Sequence, residues 1–360
     1  MGAPLTTKLY LPLILMSLIG FGVMFHPYTL NQNVGANAYL TIVWALIITG
    51  LMLAAIHSLR AQYPGESGID WGYRFLGKAG WLGSALLLIT ILLFIVMAIR
   101  RATEPVGTLI LFLTPEWANN LSFILVISYM AALGEEALGR LASVFCGLLL
   151  IMGFNLILGL GSVNRDYIHP AFIFQDFRYL KYWWSGLPSF APLLLIGSLI
   201  PLRRPQPGLR PLLATVFIGA AILGIIALEI AGVFGAAGVQ RYPRPIMAYM
   251  GTIRLAQEFF FQNLVITTHL FIFVTLTSLI TAILLRMLAN GLIQLFKIEG
   301  RFQKLVIPLI AAVVYLISLA SDLMLFSRFN NLFLMLGTMF IVIYLLILWI
   351  CSRFRREPKP

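Results

Sequence analysis

Long apolar stretches separated by short polar connectors constrain the fold of this chain more than any other feature of its sequence. A helix needs about 20 apolar residues to cross the hydrocarbon core of a bilayer. The sequence predicts ten such spans, at 9–30, 37–59, 81–101, 118–133, 141–161, 187–202, 211–234, 260–288, 304–321 and 331–351. Because 60% of the 360 residues are hydrophobic and only 11% are charged, we expect an all-α polytopic membrane protein rather than a globular domain with an anchor.

The positive charges are distributed unevenly between the two sides of the predicted bundle. Sixteen of the 25 Lys and Arg residues fall on the side of the N-terminus, and nine fall on the other side. The positive-inside rule therefore predicts that both termini are cytoplasmic, which agrees with an even number of spans. The formal net charge of +12 reflects cations at span ends that meet anionic lipid headgroups. It does not indicate nucleic-acid binding, because no basic patch is interleaved with aromatic residues.

No catalytic or metal-binding pattern accompanies these spans. The acids and histidine of the connector after span five, Asp166, His169 and Asp176, have no spacing typical of a metal site. No glycine-rich phosphate loop is present, and the two cysteines, Cys146 and Cys351, imply no disulfide framework. We therefore expect no enzymatic activity, no cofactor and no metal.

Spans one and six contain residues that break helices near their middle. Span one includes "LIGFGVMFHP" with Gly20 and Gly22, and span six reads "LPSFAPLLLIGSLIPL" with Pro188 and Pro192. Proline has no backbone N–H and clashes with the preceding turn, so it interrupts a helix. Backbone groups freed in this way are tolerated at membrane depth only if they line a cavity or bind something. Glycine also lets membrane helices pack closely, which is the alternative for Gly20 and Gly22.

The two interrupted spans stand five spans apart, so each of them opens one half of the chain. Interruptions at corresponding positions of two halves are typical of inverted-repeat transporters, which bind their substrate where the broken helices meet. The sequence therefore predicts a five-plus-five inverted repeat with helices 1 and 6 broken. We expect one transporter-like domain over 1–352, with halves at 9–161 and 187–351, and a basic cytoplasmic tail at 353–360.

Several short motifs occur in a consistent order along this framework. They are "IGFGVMFHP" in span one, "AQYPG" after span two, "LFLTPEW" after span three, "RDYIHP" after span five, and "FGAAGVQRYPRPIMAYMGTIRL" before span eight. In this order and spacing the chain resembles the spore germination permeases, the B subunits of germinant receptors in endospore-forming bacteria. They belong to the amino acid–polyamine–organocation transporter superfamily. One departure is the start of span eight, where the family tends to have a Glu-Arg pair and this chain has Gln262 and Asn263.

The resemblance implies a function as well as a fold. It implies ten helices, a site for a small germinant such as an amino acid, and a complex with a larger A subunit and a lipoprotein C subunit in the inner membrane of the spore. An amino acid or cation transporter of the same superfamily is the alternative, and a membrane scaffold without a ligand is a third. The sequence does not separate the first two, because each needs the same pocket.

By the arrangement of the superfamily, a ligand pocket would lie between the breaks of spans one and six and the middles of spans three and eight. The implied ligand-binding residues are Gly20, Phe21, Gly22, Phe94, Ile95, Ala98, Ser189, Phe190, Ala191, Leu193, Thr268 and His269. The exposed amides of span one would hold the carboxylate of an amino acid. The span-three residues would form an apolar wall, with plain core or lipid contact as the alternative. Because this lining is nearly uncharged, we expect a zwitterionic or neutral ligand.

Three further residues are candidates for an ion or proton site. Within the superfamily, a hydroxyl pair such as Thr277 and Ser278 can hold sodium together with backbone carbonyls of the first broken helix. Ordinary interhelical hydrogen bonds are the alternative for this pair. Glu229 is the most isolated acid within a span, and a carboxylate at that depth should face protein or water, so it is a candidate proton site. His269 is either a titrating group or a packing residue.

Overall fold

A computed structural model of the chain describes residues 5–34, 38–168, 183–200, 202, 207–239, 248–249, 259–320 and 323–354. In these ranges the backbone is helical apart from short connectors and one isolated β-bridge that joins Leu5 to Leu202. Most of the basic tail, from residue 355 onward, lies outside the described ranges.

Thirteen α-helices are present in the described part of the chain. They are α1 Thr7–Val34, α2 Ala38–Gln62, α3 Gly68–Leu76, α4 Lys78–Leu109, α5 Glu116–Ala132, α6 Glu135–Phe145, α7 Leu148–Gly159, α8 Arg165–Ile168, α9 Ala191–Leu199, α10 Leu209–Val239, α11 Phe259–Phe296, α12 Gln303–Ala320 and α13 Leu323–Phe354. A 3₁₀ segment, Trp183–Phe190, leads directly into α9.

The predicted spans are confirmed as helices. Eight helical segments are long and apolar enough to cross a bilayer, and α6 and α7 together form one of them. The remaining two predicted spans correspond to α5, with 17 residues, and to the shorter apolar stretch Trp184–Leu199. The described chain is therefore an all-α polytopic membrane protein, with helices at all ten predicted positions.

The interruption that we predicted for span one is absent. Helix α1 is continuous and passes through Gly20 and Gly22. A Cβ atom on Gly20 would lie 2.8 Å from the carbonyl oxygen of Leu276 on α11, and one on Gly22 would press into the side chain of Leu223 on α10. The glycines therefore allow close approach between helices, which is the packing alternative, and their amides stay within the hydrogen-bonded ladder of an α-helix.

Span six is interrupted, as predicted. The backbone changes from 3₁₀ to α geometry between Phe190 and Ala191, in the stretch bounded by Pro188 and Pro192. The two prolines remove backbone donors, so they favour a break here for a reason that does not apply to glycine. Helix α9 begins without a side-chain cap, although its first residues are fully buried. The change from 3₁₀ to α geometry thus lies inside the protein.

Helix α1 lies at the centre of the bundle. It packs against α6, α10 and α11, and also against the 3₁₀ segment and α9. Its side chains from Met16 to Phe25 are buried on every side. A helix that is apolar all round is expected in such a position, because it has no face to offer to water.

A buried ion pair connects the start of α6 to α11. The carboxylate of Glu135 accepts a 3.3 Å hydrogen bond from Nε of Arg286 and a second one from the side-chain amide of Asn290. The side chain of Glu135 is only 7% exposed and that of Arg286 only 15%. By contrast, the neighbouring pair of Glu136 and Arg140 lies at the surface.

We expect Glu135→Ala to destabilise the protein by about 3 kcal/mol, because it leaves the Arg286 guanidinium buried without its counter-charge. Thermal and denaturant-induced unfolding of the purified chain in detergent would measure the loss. Glu136→Ala is the matched control and should cost less than about 1 kcal/mol, as is usual for an exposed pair. Equal losses in the two variants would contradict a structural role for the buried pair.

Candidate ligand site

Residues from three of the predicted spans meet beside Gly20. The ring of Phe21 on α1 lies 5.6 Å from the ring of Phe94 on α4 and 4.5 Å from that of Phe25, measured between centroids. Gly20 brings α1 against the backbone of Leu276 on α11, next to Thr277. All six of these residues are buried. The structure thus joins spans one, three and eight at this level.

The interrupted segment of span six also borders α1. Its predicted site residues, Ser189, Phe190, Ala191 and Leu193, are fully or almost fully buried, and the segment packs along α1. The first N–H groups of an α-helix have no partner within that helix, and they carry a partial positive charge. Helix α9, however, continues the 3₁₀ segment without a gap, and Pro192 in its first turn has no N–H, so few of its first backbone donors are free. The amide role that we predicted for Gly20, Phe21 and Gly22 is not available in this conformation.

The predicted wall of span three faces the interior of the protein. Phe94, Ile95 and Ala98 are all 0% exposed. Besides Phe21, Phe94 contacts α13, where the absence of a side chain on Gly337 leaves room for its ring. Contact with lipid is therefore excluded for these three residues, and they belong to the buried centre of the bundle.

Thr268 and His269 lie at a different level. They precede Leu276 by about two turns of α11, which places them roughly 10 Å along the helix from the contact with Gly20. Thr268 is half-buried, whereas His269 is buried and its Nδ1 atom has no hydrogen-bond partner within the described residues. The predicted site is thus divided between two levels of the bundle.

The hydroxyl pair on α11 is engaged within its own helix. Thr277 and Ser278 both donate to the carbonyl oxygen of Val274, at 3.0 and 2.7 Å. The backbone carbonyls of α1 that a sodium site would need are within a continuous helix. The sodium site therefore stays a prediction. The hydroxyls of Thr277 and Ser278 lie near the level of Gly20, but the carbonyl groups of α1 are part of its helical hydrogen-bond pattern.

Glu229 forms a buried hydrogen bond that the sequence did not reveal. The hydroxyl of Tyr249 donates to Oε2 of Glu229, while Oε1 has no hydrogen-bond partner among the described residues. Gly159 makes room for this contact, because a side chain at that position would collide with the Tyr249 hydroxyl. Burial and the neighbouring carboxyl group raise the pKa of Tyr249, which therefore stays protonated as the donor. Glu229 lies six residues beyond Leu223, so it is roughly 9 Å along α10 from the contact with Gly22.

Two buried arginines, Arg60 and Arg100, make contacts that were not predicted from the sequence. Nη2 of Arg60 on α2 donates to the carbonyl oxygens of Ile196 and Ile200, at 3.3 and 2.5 Å, and so satisfies the C-terminal end of α9. Its guanidinium also lies 5.8 Å from the ring centroid of Tyr10. Arg100 on α4 pairs with Glu116 on α5. Neither partner could be read from sequence spacing.

The fold is that of a polytopic helical membrane protein in which the interrupted span six packs against the central helix α1. Residues 4–324 match the family of spore germination proteins. Since the match covers most of the chain, the chain belongs to that family, and the resemblance stated from its motifs is confirmed.

A solved structure provides an independent comparison. The crystal structure of MhsT in complex with L-phenylalanine is 13% identical in sequence, with a TM-score of 0.56, over 94% of this chain and 89% of that one. At this level of identity the likeness shows a common fold. A search of curated proteins found no significant match.

We expect Gly20→Ala to destabilise the protein by about 1–3 kcal/mol, because the added Cβ meets a backbone oxygen that cannot turn away. Gly22→Ala should cost less, since the side chain of Leu223 can adopt another rotamer. Unfolding in detergent would rank the two variants. Gly153→Ala, at an open helical position on α7, is the control and should be neutral or stabilising. If Gly20→Ala were as stable as Gly153→Ala, the result would contradict the close contact between α1 and α11.

We expect Tyr249→Phe to destabilise the protein by about 1–3 kcal/mol, because it leaves a buried carboxyl group without its donor. Gly159→Ala should have a similar effect by displacing the Tyr249 hydroxyl. Thermal unfolding of each variant and of the double variant tests this. The double variant should lose little more than either single one, and additive losses would argue against a common contact.

Proposed function

We propose that this chain is a B subunit of a germinant receptor that binds a small germinant in a transporter-like pocket. The pocket would lie between α1, α4, α11 and the start of α9. The observation that supports it most strongly is that two buried features border α1 in a member of the spore germination protein family. They are the start of α9 and the aromatic contact of Phe21 with Phe94.

The chemistry of this region favours an amino acid or another small neutral solute. A carboxylate or another acceptor group of the ligand would lie at the buried change from 3₁₀ to α geometry, between Phe190 and Leu193. Phe21, Phe94, Ile95 and Ala98 offer an apolar surface to the remainder of the ligand. The candidate residues at this level carry no formal charge, so a ligand with a net charge would lack a counter-ion. The fold is also that of a protein whose crystal structure contains L-phenylalanine.

Binding would act through a change in the population of conformations. A ligand that binds one arrangement of the bundle better than another shifts the protein toward it, by no more than the difference in binding free energy. As a B subunit, the chain would pass this shift to an A subunit and a lipoprotein C subunit. It would lie in the inner membrane of the spore with both termini in the cytoplasm, as the charge distribution predicts.

A transporter for an amino acid or a cation is the second candidate. It is favoured by the buried, half-satisfied carboxyl group of Glu229 and by the adjacent hydroxyls of Thr277 and Ser278, which are candidate proton and ion sites. Uptake of labelled amino acid by proteoliposomes separates the two functions. Sustained turnover that depends on a proton or sodium gradient would favour transport, and saturable binding without uptake would favour the receptor subunit.

We expect neutral L-amino acids, with L-phenylalanine and L-alanine as first probes, to raise the melting temperature of the purified chain. Binding to the folded state alone contributes about 2.7 kcal/mol at 100 times the dissociation constant. Ala98→Val should reduce this ligand-induced rise, because it adds volume to the proposed pocket. Ala131→Val is the matched control: Ala131 is equally buried but lies on α5, so its ligand response should be that of the wild type.

Comparison of the two variants separates loss of binding from loss of stability. Each substitution adds two carbon atoms to a packed site, and both variants should therefore have a lower melting temperature without ligand. An equal ligand response in the two variants would contradict a pocket beside Ala98. No response of the wild type to any neutral amino acid would contradict the proposed ligand class.

A further inference from the structure

An apolar groove runs along the outside of the bundle between α4, α11 and α12. It has a volume of about 300 Å³ and lies within three helices that are long enough to cross the membrane. Its lining is entirely aliphatic or aromatic and includes Leu88, Leu92, Leu292, Phe296, Leu309 and Val313. The shape and chemistry of this groove fit a hydrocarbon chain.

Next to the groove lies a cavity of about 910 Å³ that is lined partly by charged side chains. Leu295 lines both spaces, and the ring of Trp81 in the cavity meets the ring of Phe296 in the groove, edge to face, at 6.2 Å. The cavity is bordered by α3, the start of α4 and the end of α11, which the charge distribution places on the cytoplasmic side. Together, the two spaces have the form of a site for an amphiphile, with a tail in the groove and a headgroup in the cavity.

The charged side chains of the cavity differ in whether they already have a partner within the protein. The carboxylate of Glu66 pairs with Arg74 at 2.6 Å, and that of Asp70 accepts hydrogen bonds from the backbone and hydroxyl of Ser67. Lys297 forms no ion pair with any residue that the structure describes. The connector after α11 continues with the exposed residues Glu299, Arg301 and Lys304, so together with Lys297 it holds three basic residues and one acid.

The backbone of Lys297 is in an unusual conformation. It directly follows α11 with φ at +51°, the sole positive φ of a non-glycine residue in the described part of the chain. Helices commonly end with glycine in this left-handed conformation, and other side chains are disfavoured there. A lysine at this position is therefore disfavoured by backbone sterics, and its side chain borders the cavity. Strain of this kind is a reason to look for a function of the residue.

We propose that the groove and the cavity bind an anionic membrane phospholipid, with an acyl chain between α4, α11 and α12 and the headgroup phosphate at Lys297. An anionic headgroup matches the unpaired ammonium group, and the cytoplasmic leaflet is the one that attracts basic segments of this kind. The site lies on the outside of the bundle and is separate from the proposed germinant pocket, so it does not depend on the proposed function.

Native mass spectrometry of the full chain, titrated with phosphatidylglycerol or phosphatidylcholine, tests the proposal. We expect preferential retention of phosphatidylglycerol and a loss of about fivefold in its affinity in Lys297→Gly, as for one basic residue near an anionic surface. Glycine suits the left-handed conformation, so this variant should remain folded and at least as resistant to unfolding. Lys297→Arg should keep the preference for phosphatidylglycerol.

The groove is tested separately with a matched pair on α12. Leu309 and Leu316 are exposed to a similar extent, 66% and 64%, but only Leu309 lines the groove. Leu309→Trp should reduce retention of phosphatidylglycerol by filling the groove, and Leu316→Trp should leave it unchanged. Equal retention of the two lipids by the wild type, unchanged affinity in Lys297→Gly, or equal losses in the two tryptophan variants would overturn the proposal.

Discussion

The hydrogen-bonding of the backbone within lipid is the constraint on which the rest of this structure depends. A bilayer offers no water to an unpaired N–H or C=O group, so a span must satisfy these groups itself or be enclosed by protein. Span six does not form one regular helix, because Pro188 and Pro192 remove donors near its middle. It is accordingly buried, with α1 and α2 packed against it and the guanidinium of Arg60 bonded to carbonyl groups at its end. Both α1 and α2 therefore help to enclose the interrupted segment.

Hydropathy was sufficient to predict the spans, because the requirement for about 20 apolar residues acts on each helix by itself. The effect of proline was also predictable, since a missing N–H interrupts a helix in any surroundings. The effect of glycine was not. Gly20 and Gly22 suit a broken helix and a close helix contact equally well in sequence, and the choice depends on Leu276 and Leu223, more than 200 residues away. The ion pair of Glu135 with Arg286 and the contact of Glu229 with Tyr249 were also missed, because the sequence does not show which helices lie next to each other.

The division of the predicted site into two levels has a related cause. Periodicity places a residue on one face of its own helix, but it does not state where along that helix a neighbour crosses. Phe21 and Phe94 meet because their helices cross at that height, whereas His269 lies two turns further along α11. The family resemblance supplied a set of helices for the predicted pocket, and the relative heights of their residues required the structure.

The two glycine contacts of α1 differ in what lies opposite them. Toward α11, Gly20 faces a backbone carbonyl of Leu276, while toward α10, Gly22 faces the branched end of the Leu223 side chain. At Gly22, a small displacement of α1 could be accommodated by a new rotamer of Leu223, and rotamer changes occur in picoseconds to nanoseconds where space allows. At Gly20, a displacement toward α11 would require two backbones to separate. The position of α1 is therefore fixed more strictly at its contact with Leu276 than at its contact with Leu223.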